Sequence, residues 1–396
     1  MTTGPRRNSI LVALCVSVLV VSLDNNILHV ALPTLVRDLG ASTAQLQWIV
    51  DGYVLIIAGL LLAAGSLADR FGRAKALFMG LAIFGAASAV AAWSPSANGL
   101  IAARVVMGIG AAVILPASLS VLGNVFTDPR ERGRAIGAWS ACAGLGLGIG
   151  PIVGGVLLDN FWWGAVFLVN VPIALGLVLF GWRIVPESKD PTIGKIDHVG
   201  VVLSIAWISV LVAAAIEGPT DGWTSPVVLG GMSIAAVLLV GFVLWELRCD
   251  HPMMDLSFFR NPRFTVAAAV MGSASFILAG MLFVVTQLLQ FVMGYSPSAA
   301  GLRLAPSALG FMLAALVSPR LDERFGAKRV VTGALGVVAV GLAILAITAG
   351  RPEYSLIFLG TTLVGWGIGC AHAPCTEAAI GSVPRYQAGL CSGMNA

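Results

Sequence analysis

The stretch GSLADRFGRAK, Gly65 to Lys75, decides how this chain folds. It sets Asp69, Arg70, Arg73 and Lys75 directly after a long apolar run, and a second apolar run follows at once. A near copy, LDERFGAKR, stands at Leu321 to Arg329. Aligning Arg70-Phe71-Gly72 with Arg324-Phe325-Gly326 gives an offset of 254 residues, and the same offset carries Gly40 onto Gly294. Further along, GIG at 108–110 recurs at 367–369, and Pro129-Arg130 recurs at Pro384-Arg385. Four matches in one order mean two homologous halves, the usual construction of secondary transporters.

Composition fixes the solvent these halves live in. Of 396 residues, 58% are hydrophobic and 11% charged, with 47 glycines and a mean hydropathy of +0.93. A soluble domain carries roughly 25% charge. So few charges cannot cover a soluble surface of this size, which excludes a soluble enzyme and a disordered chain. The chain is expected to be an all-α integral membrane protein embedded in a lipid bilayer.

A spanning helix needs about 20 mainly apolar residues. Twelve runs qualify, near 10–33, 48–68, 76–93, 99–122, 135–158, 165–183, 198–216, 227–246, 264–292, 302–319, 329–349 and 355–376. The first is a span and not a signal peptide, since no small-x-small cleavage site follows it. With a cytoplasmic N-terminus, 19 of the 23 Lys and Arg residues fall on inner segments; only Arg37, Arg303 and Arg351 fall outside, and Arg104 lies within a span. That asymmetry sets the orientation in a plasma (inner) membrane. Trp48, Trp93, Trp162, Trp163, Trp182, Trp223 and Trp245 sit at span ends, as an interfacial aromatic belt requires.

The repeat divides the spans unevenly. A six-helix bundle occupies 1–185; a cytoplasmic linker, an inserted helix pair and a further loop fill 186–262; a second bundle occupies 263–396. The twelve helices are thus arranged 6 + 2 + 4, with the chain stopping at Ala396 where the counterpart of span 5 begins, so a C-terminal truncation is expected.

Ionisable residues inside a membrane are costly, by roughly 2.5–3.5 kcal/mol on insertion scales, and mark function. Asp24 lies some nine residues before Pro33, hence about 13 Å deep, and Arg104 about six residues into span 4, hence about 9 Å deep. A buried Asp–Arg contact is therefore expected, with Asp24 as a proton-binding acid or as half of a static ion pair. Asp51, near Trp48 at a helix end, is a weaker candidate for the same chemistry, and His29 reads as a polar packing residue.

In the loop, Gly65 permits close helix approach and Gly72 supplies the turn. Asp69 can accept from the N-terminal amides of the next helix or from Arg73, a contact that makes or breaks as the cytoplasmic side opens. In span 5, Gly146, Gly150 and Gly154 are spaced four apart on one face, and Pro151 bends the helix. The six cysteines form no CxxC pair. No GxGxxG, GxxxxGK[ST] or HExxH motif is present. Neither a nucleotide, a metal nor another cofactor is expected, and no nucleic-acid partner; if the chain transports, it must do so on an ion gradient.

Together these stretches resemble the major facilitator superfamily, in its fourteen-helix drug:proton antiporter branch. SLDNNILHVALP resembles the branch's first-helix motif at Asp24 and Pro33, with Asn26 and His29 where Thr and Asn are usual. GSLADRFGRAK resembles the loop 2–3 motif at Gly65, Asp69, Arg70, Gly72 and Arg73. LIAARVVMGIGAA resembles the fourth-helix motif at Arg104, Gly108 and Gly110, with Met107 in place of Gln. GLGIGPIVGG matches the helix 5 antiporter motif at Gly146, Gly150, Pro151, Gly154 and Gly155, and FLVNVP and LQFVMGYSP are likewise typical. The resemblance implies alternating access by a monomer, with protonation of an acid such as Asp24 coupled to export of lipophilic, often cationic drugs, and hence antibiotic resistance. A dedicated natural-product exporter is one alternative; a non-transporting membrane protein is another.

Overall fold

The computed structural model describes residues 4–189, 197–249, 256–348, 350 and 353–381. Among them twelve helices are long and apolar enough to cross a membrane. They are α1 (Gly4–Leu39), α2 (Thr43–Phe71), α3 (Arg73–Ala92), α4 (Ala97–Val125), α5 (Pro129–Asn160), α6 (Ala165–Ile184), α7 (His198–Asp221), α8 (Pro226–Glu246), α9 (Pro262–Val292), α10 (Pro297–Phe325), α11 (Ala327–Ile347) and α12 (Tyr354–Gly381). No strand occurs among the described residues.

Helices outrun their apolar cores. The outer end of the first span was expected at Pro33, yet Pro33 lies inside α1, which continues to Leu39. Proline removes one backbone donor without ending a helix whose neighbours re-satisfy the freed groups. Asp24 thus stands fifteen residues, about 22 Å of helix, before the end of α1 at Leu39.

The 254-residue repeat is legible in local geometry. Of the five glycines with positive φ among the described residues, Gly40 (62°) pairs with Gly294 (70°), and Gly72 (127°) with Gly326 (81°). Each pair breaks the chain where one helix must stop and the next start, in a conformation side chains resist. Ser42 and Ser296 then cap α2 and α10, accepting from the amides of Gln45 at 3.2 Å and Ala299 at 3.3 Å. At the other ends, the Arg70 guanidinium lies 5.9 Å from the Phe71 ring and that of Arg324 5.4 Å from the Phe325 ring.

The fourth and twelfth helices correspond as well, but not in the register the GIG tripeptides suggest. Gly108 presses on the Tyr53 carbonyl, where an added Cβ would lie 2.8 Å away, and Gly365 presses on the Ser307 carbonyl, the residue 254 beyond Tyr53. Gly110 meets Gly80 and Phe84; Gly367 meets Ala334 and Val338, again 254 apart. The structural partners of Gly108 and Gly110 are therefore Gly365 and Gly367, not 367 and 369. Backbone contact selects the pairs, and two residues of slip would turn the helix by about 200°. The recurrence at Pro384-Arg385 and the terminus near Ala396 lie outside the described residues.

By contact density the chain separates into two units, one within Met1–Asn25, Thr34–Gly146 and Trp162–Leu256, the other within Asn26–Pro33, Leu147–Phe161 and Ser257–Ala396. In the first, α2 and α3 both pack on α4, α7 pairs with α8, and Ile205 of α7 fills the space over Gly59 of α2. In the second, α10 and α11 both pack on α12, with α9 beside it. Its core joins Phe264, Ala314 and Cys370 at one place and Leu282, Leu289, Val338 and Ile357 at another. Large apolar side chains such as Val202, Val237 and Phe276 face outward, as a lipid-facing surface allows.

Candidate functional site

Five polar side chains meet inside the first unit. Asp24 of α1, Tyr53 of α2, Ser88 of α3, Arg104 of α4 and Asn170 of α6 are all at most 2% exposed. Arg104 Nη1 donates to Asp24 Oδ2 at 2.5 Å, and Arg104 Nε donates to the Ile49 carbonyl at 3.0 Å. The guanidinium lies 4.0 Å from the Tyr53 ring centroid and 6.0 Å from that of Phe167. Asn170 Nδ2 donates to Asp24 Oδ1 at 2.7 Å and to Ser88 Oγ at 3.5 Å. Both carboxylate oxygens are thus held, one by a cation and one by an amide.

Burial makes this arrangement consequential. A lone charge in low dielectric is expensive, and a paired one is tolerated only with good geometry and further hydrogen bonds. The cluster keeps open valences: the Tyr53 hydroxyl, Arg104 Nη2 and Asn170 Oδ1 are buried without a partner among the described residues. The second half offers no equivalent, since the positions corresponding to Asp24 and Arg104 are Leu278 and Thr361. The Thr361 hydroxyl turns back to the Ile357 carbonyl at 2.7 Å.

The other sequence candidates are placed as follows. Asp51 is half-buried on α2 and does not join the hydrogen bonds around Asp24. His29 is buried on α1. A Cβ added at Gly65 would meet Pro116 of α4 at 3.4 Å, an ordinary contact, so the close helix approach expected there does not depend on glycine. Arg70 is exposed and Arg73 half-buried; the side chain of Asp69 lies outside the described residues.

The first-turn amides of α3, one of the two partners expected for Asp69, meet the acid Glu187. Glu187, in the segment after α6, accepts from the amides of Ala74 and Lys75 at 3.2 Å each, while the Arg73 amide donates to the Ser188 carbonyl at 3.0 Å. The Ala76 amide begins the helical ladder by donating to the Gly72 carbonyl. No free amide is left in the first turn of α3. A carboxylate at a helix N-terminus is also favoured by the helix dipole.

On α5 the glycines serve close contact on more than one face. A Cβ on Gly146 would lie 2.7 Å from Ser22, one on Gly150 2.7 Å from Asn26, and one on Gly154 3.1 Å from Ile27, all on α1. Gly155 instead meets Pro297 and Ser298 of α10, and the Pro151 carbonyl abuts Gly301. Beside this crossing, Gly148, Pro151, Leu278, Leu282, Leu304, Ser307, Ala308 and Phe311 line a small, mainly apolar pocket in the second unit.

Sequence reasoning missed Asn170, Tyr53 and Glu187. An asparagine inside the apolar run FLVNVP was the available signal for the first. Tyr53 reads as one more aromatic residue near a helix end, and Glu187 as an ordinary loop acid; only folding gives them roles.

Residues 14–396 match the family model of the Major Facilitator Superfamily. The chain is 37% identical over 385 residues to the multidrug efflux pump LfrA of Mycolicibacterium smegmatis, covering 97% of this chain and 76% of that protein. It is 34% identical to a methylenomycin A resistance protein of Bacillus subtilis (87% and 74% covered) and to the methyl viologen resistance protein SmvA of Salmonella typhimurium (93% and 74%). Among solved structures, a D-xylose-proton symporter superposes with a TM-score of 0.68 at 15% identity, covering 98% of this chain and 85% of that one, a likeness of fold alone. Twelve apolar helices, a repeated glycine-punctuated loop and a family match across nearly the whole length lead to one conclusion: the chain belongs to the Major Facilitator Superfamily, whose members are membrane transporters and not enzymes.

Proposed function

We propose that this transporter exports lipophilic, often cationic compounds across the plasma membrane by proton antiport, alternating between inward- and outward-open states with its N-terminus in the cytoplasm. The observation that carries the reading is the buried Asp24–Arg104 pair, whose counterparts in the second half are the uncharged Leu278 and Thr361. Arg104 favours the ionised carboxylate and burial favours the neutral one, so a change in the surroundings of the pair shifts the balance toward proton binding or release. Efflux and resistance relatives supply the direction of transport and the substrate class.

Everted vesicles carrying the full chain and acidified inside test this. A lipophilic cation such as ethidium should release lumenal protons with the wild type and none with Asp24→Asn, at equal protein in the membrane. Undiminished release in Asp24→Asn removes Asp24 from the coupling step. Relatives named for a single antibiotic support a narrower, dedicated exporter as the second reading. A panel of unrelated cations separates the two, since a dedicated exporter answers to one compound.

A further inference from the structure

Asn170 touches the carboxylate on which proton coupling turns, from a helix that neither charge of the pair belongs to. Its Nδ2 donates to Asp24 Oδ1 at 2.7 Å, which suits an ionised carboxylate. Its Oδ1 is buried with no partner among the described residues. A side-chain amide carries a donor and an acceptor on opposite ends, and half a turn about Cβ–Cγ exchanges them. When a proton settles on Asp24 Oδ1, the present bond sets two donors against each other. Turning over, Asn170 would offer Oδ1 to the new O–H instead.

The surroundings allow that exchange. Ser88 Oγ, 3.5 Å from Nδ2, is a hydroxyl that donates as readily as it accepts. The other charged or titratable groups facing the carboxylate are Arg104 from α4, committed to Oδ2, and Tyr53 from α2, whose hydroxyl is unpartnered among the described residues. The depth of Asn170 is fixed one turn further on, where Ala174 packs on Gly85 of α3 so closely that a Cβ on Gly85 would lie 2.9 Å away.

The helix is irregular at this point. One α-helical segment ends at Leu168, the next begins at Asn170, and a π-helical turn follows at Leu177–Gly181. Such breaks mark places where a helix adjusts locally.

We propose that Asn170 is the positioning residue that follows the charge of Asp24, donating to the ionised carboxylate, accepting from the protonated one, and so passing the protonation state to α6. The proposal rests on the reading of Asp24 as the proton carrier.

Infrared difference spectroscopy on the full chain in lipid, titrated over pH, tests it. The carboxylic band of Asp24 is identified by its loss in Asp24→Asn. In Asn170→Leu the midpoint of that band should move upward by about one pH unit, a tenfold gain in proton affinity, because the ionised form loses its charge-assisted bond. The band should also change frequency, since the O–H loses its acceptor. Asn170→Asp keeps the shape of the side chain and serves if the leucine variant does not fold; a second carboxyl beside Asp24 should raise the midpoint further. An unmoved midpoint with an unchanged frequency, whether or not stability falls, overturns the proposal and leaves Asp24 as the carrier. Absence of any band lost in Asp24→Asn overturns both.

Discussion

A guanidinium with two separate tasks explains why Arg104 is arginine. One nitrogen holds Asp24, another holds the Ile49 carbonyl, and the plane rests against Tyr53. Lysine supplies the charge at a single point and loses the fork and the stacking. Removing one partner of a buried ion pair costs about 3–5 kcal/mol, because the other is left uncompensated. Arg104→Ala should therefore lower the thermal unfolding midpoint in detergent and abolish substrate-driven proton release, with Arg104→Lys intermediate in both. Combining Arg104→Leu with Asp24→Asn should recover most of the stability and none of the coupling. Full coupling in Arg104→Ala would reduce the guanidinium to a structural role.

Helix ends show which parts of the repeat are shared and which belong to one half. Gly72 and Gly326 both hold positive φ at the same point of their halves. Around Gly326 nothing lies within 4 Å of an added Cβ, whereas at Gly72 the Glu187 carboxylate lies within 2.8–2.9 Å. Gly326→Ala should cost only the strain of an alanine held at φ 81° and ψ 146°, a nearly glycine-only conformation, roughly 1–3 kcal/mol. Gly72→Ala should cost more, because the carboxylate that caps α3 must move. Thermal unfolding of the two variants compares them. In Glu187→Ala, which loses that cap, the excess at Gly72 should disappear, and a double-mutant cycle reads it directly. Equal losses in all backgrounds would mean that Glu187 does not brace the turn.

For the whole molecule, the charge count makes a topological prediction. With 19 of 23 basic residues on one set of loops, the turn between α3 and α4 should face outside and the start of α5 the cytoplasm. Asn98 and Arg132 are exposed at those two places. In a variant with the native cysteines replaced, Asn98→Cys should react with an impermeant maleimide on intact cells, and Arg132→Cys only after permeabilisation. The reverse pattern would invert the orientation and with it the assignment of the glycine loop to the cytoplasmic side.

The sequence by itself determined the membrane class, the number of spans, the breaks between them and the repeat at the loops, because hydropathy and positive-φ glycines act within a few residues of chain. Depth along a helix was partly legible too: it brought Asp24 and Arg104 near one level, although α1 runs past Pro33. Rotation about the helix axis was not, since no local signal says which neighbour a face will meet. That is why the GIG tripeptides align two residues out of step with the contacts their glycines make. It is also why Asn170, 146 residues from Asp24, and Glu187, more than a hundred from the amides it caps, acquire partners only when the helices pack. Helix packing is chosen by backbone approach at small residues and by the cost of stranding buried polar groups, and both are properties of pairs of helices that no single stretch of sequence contains.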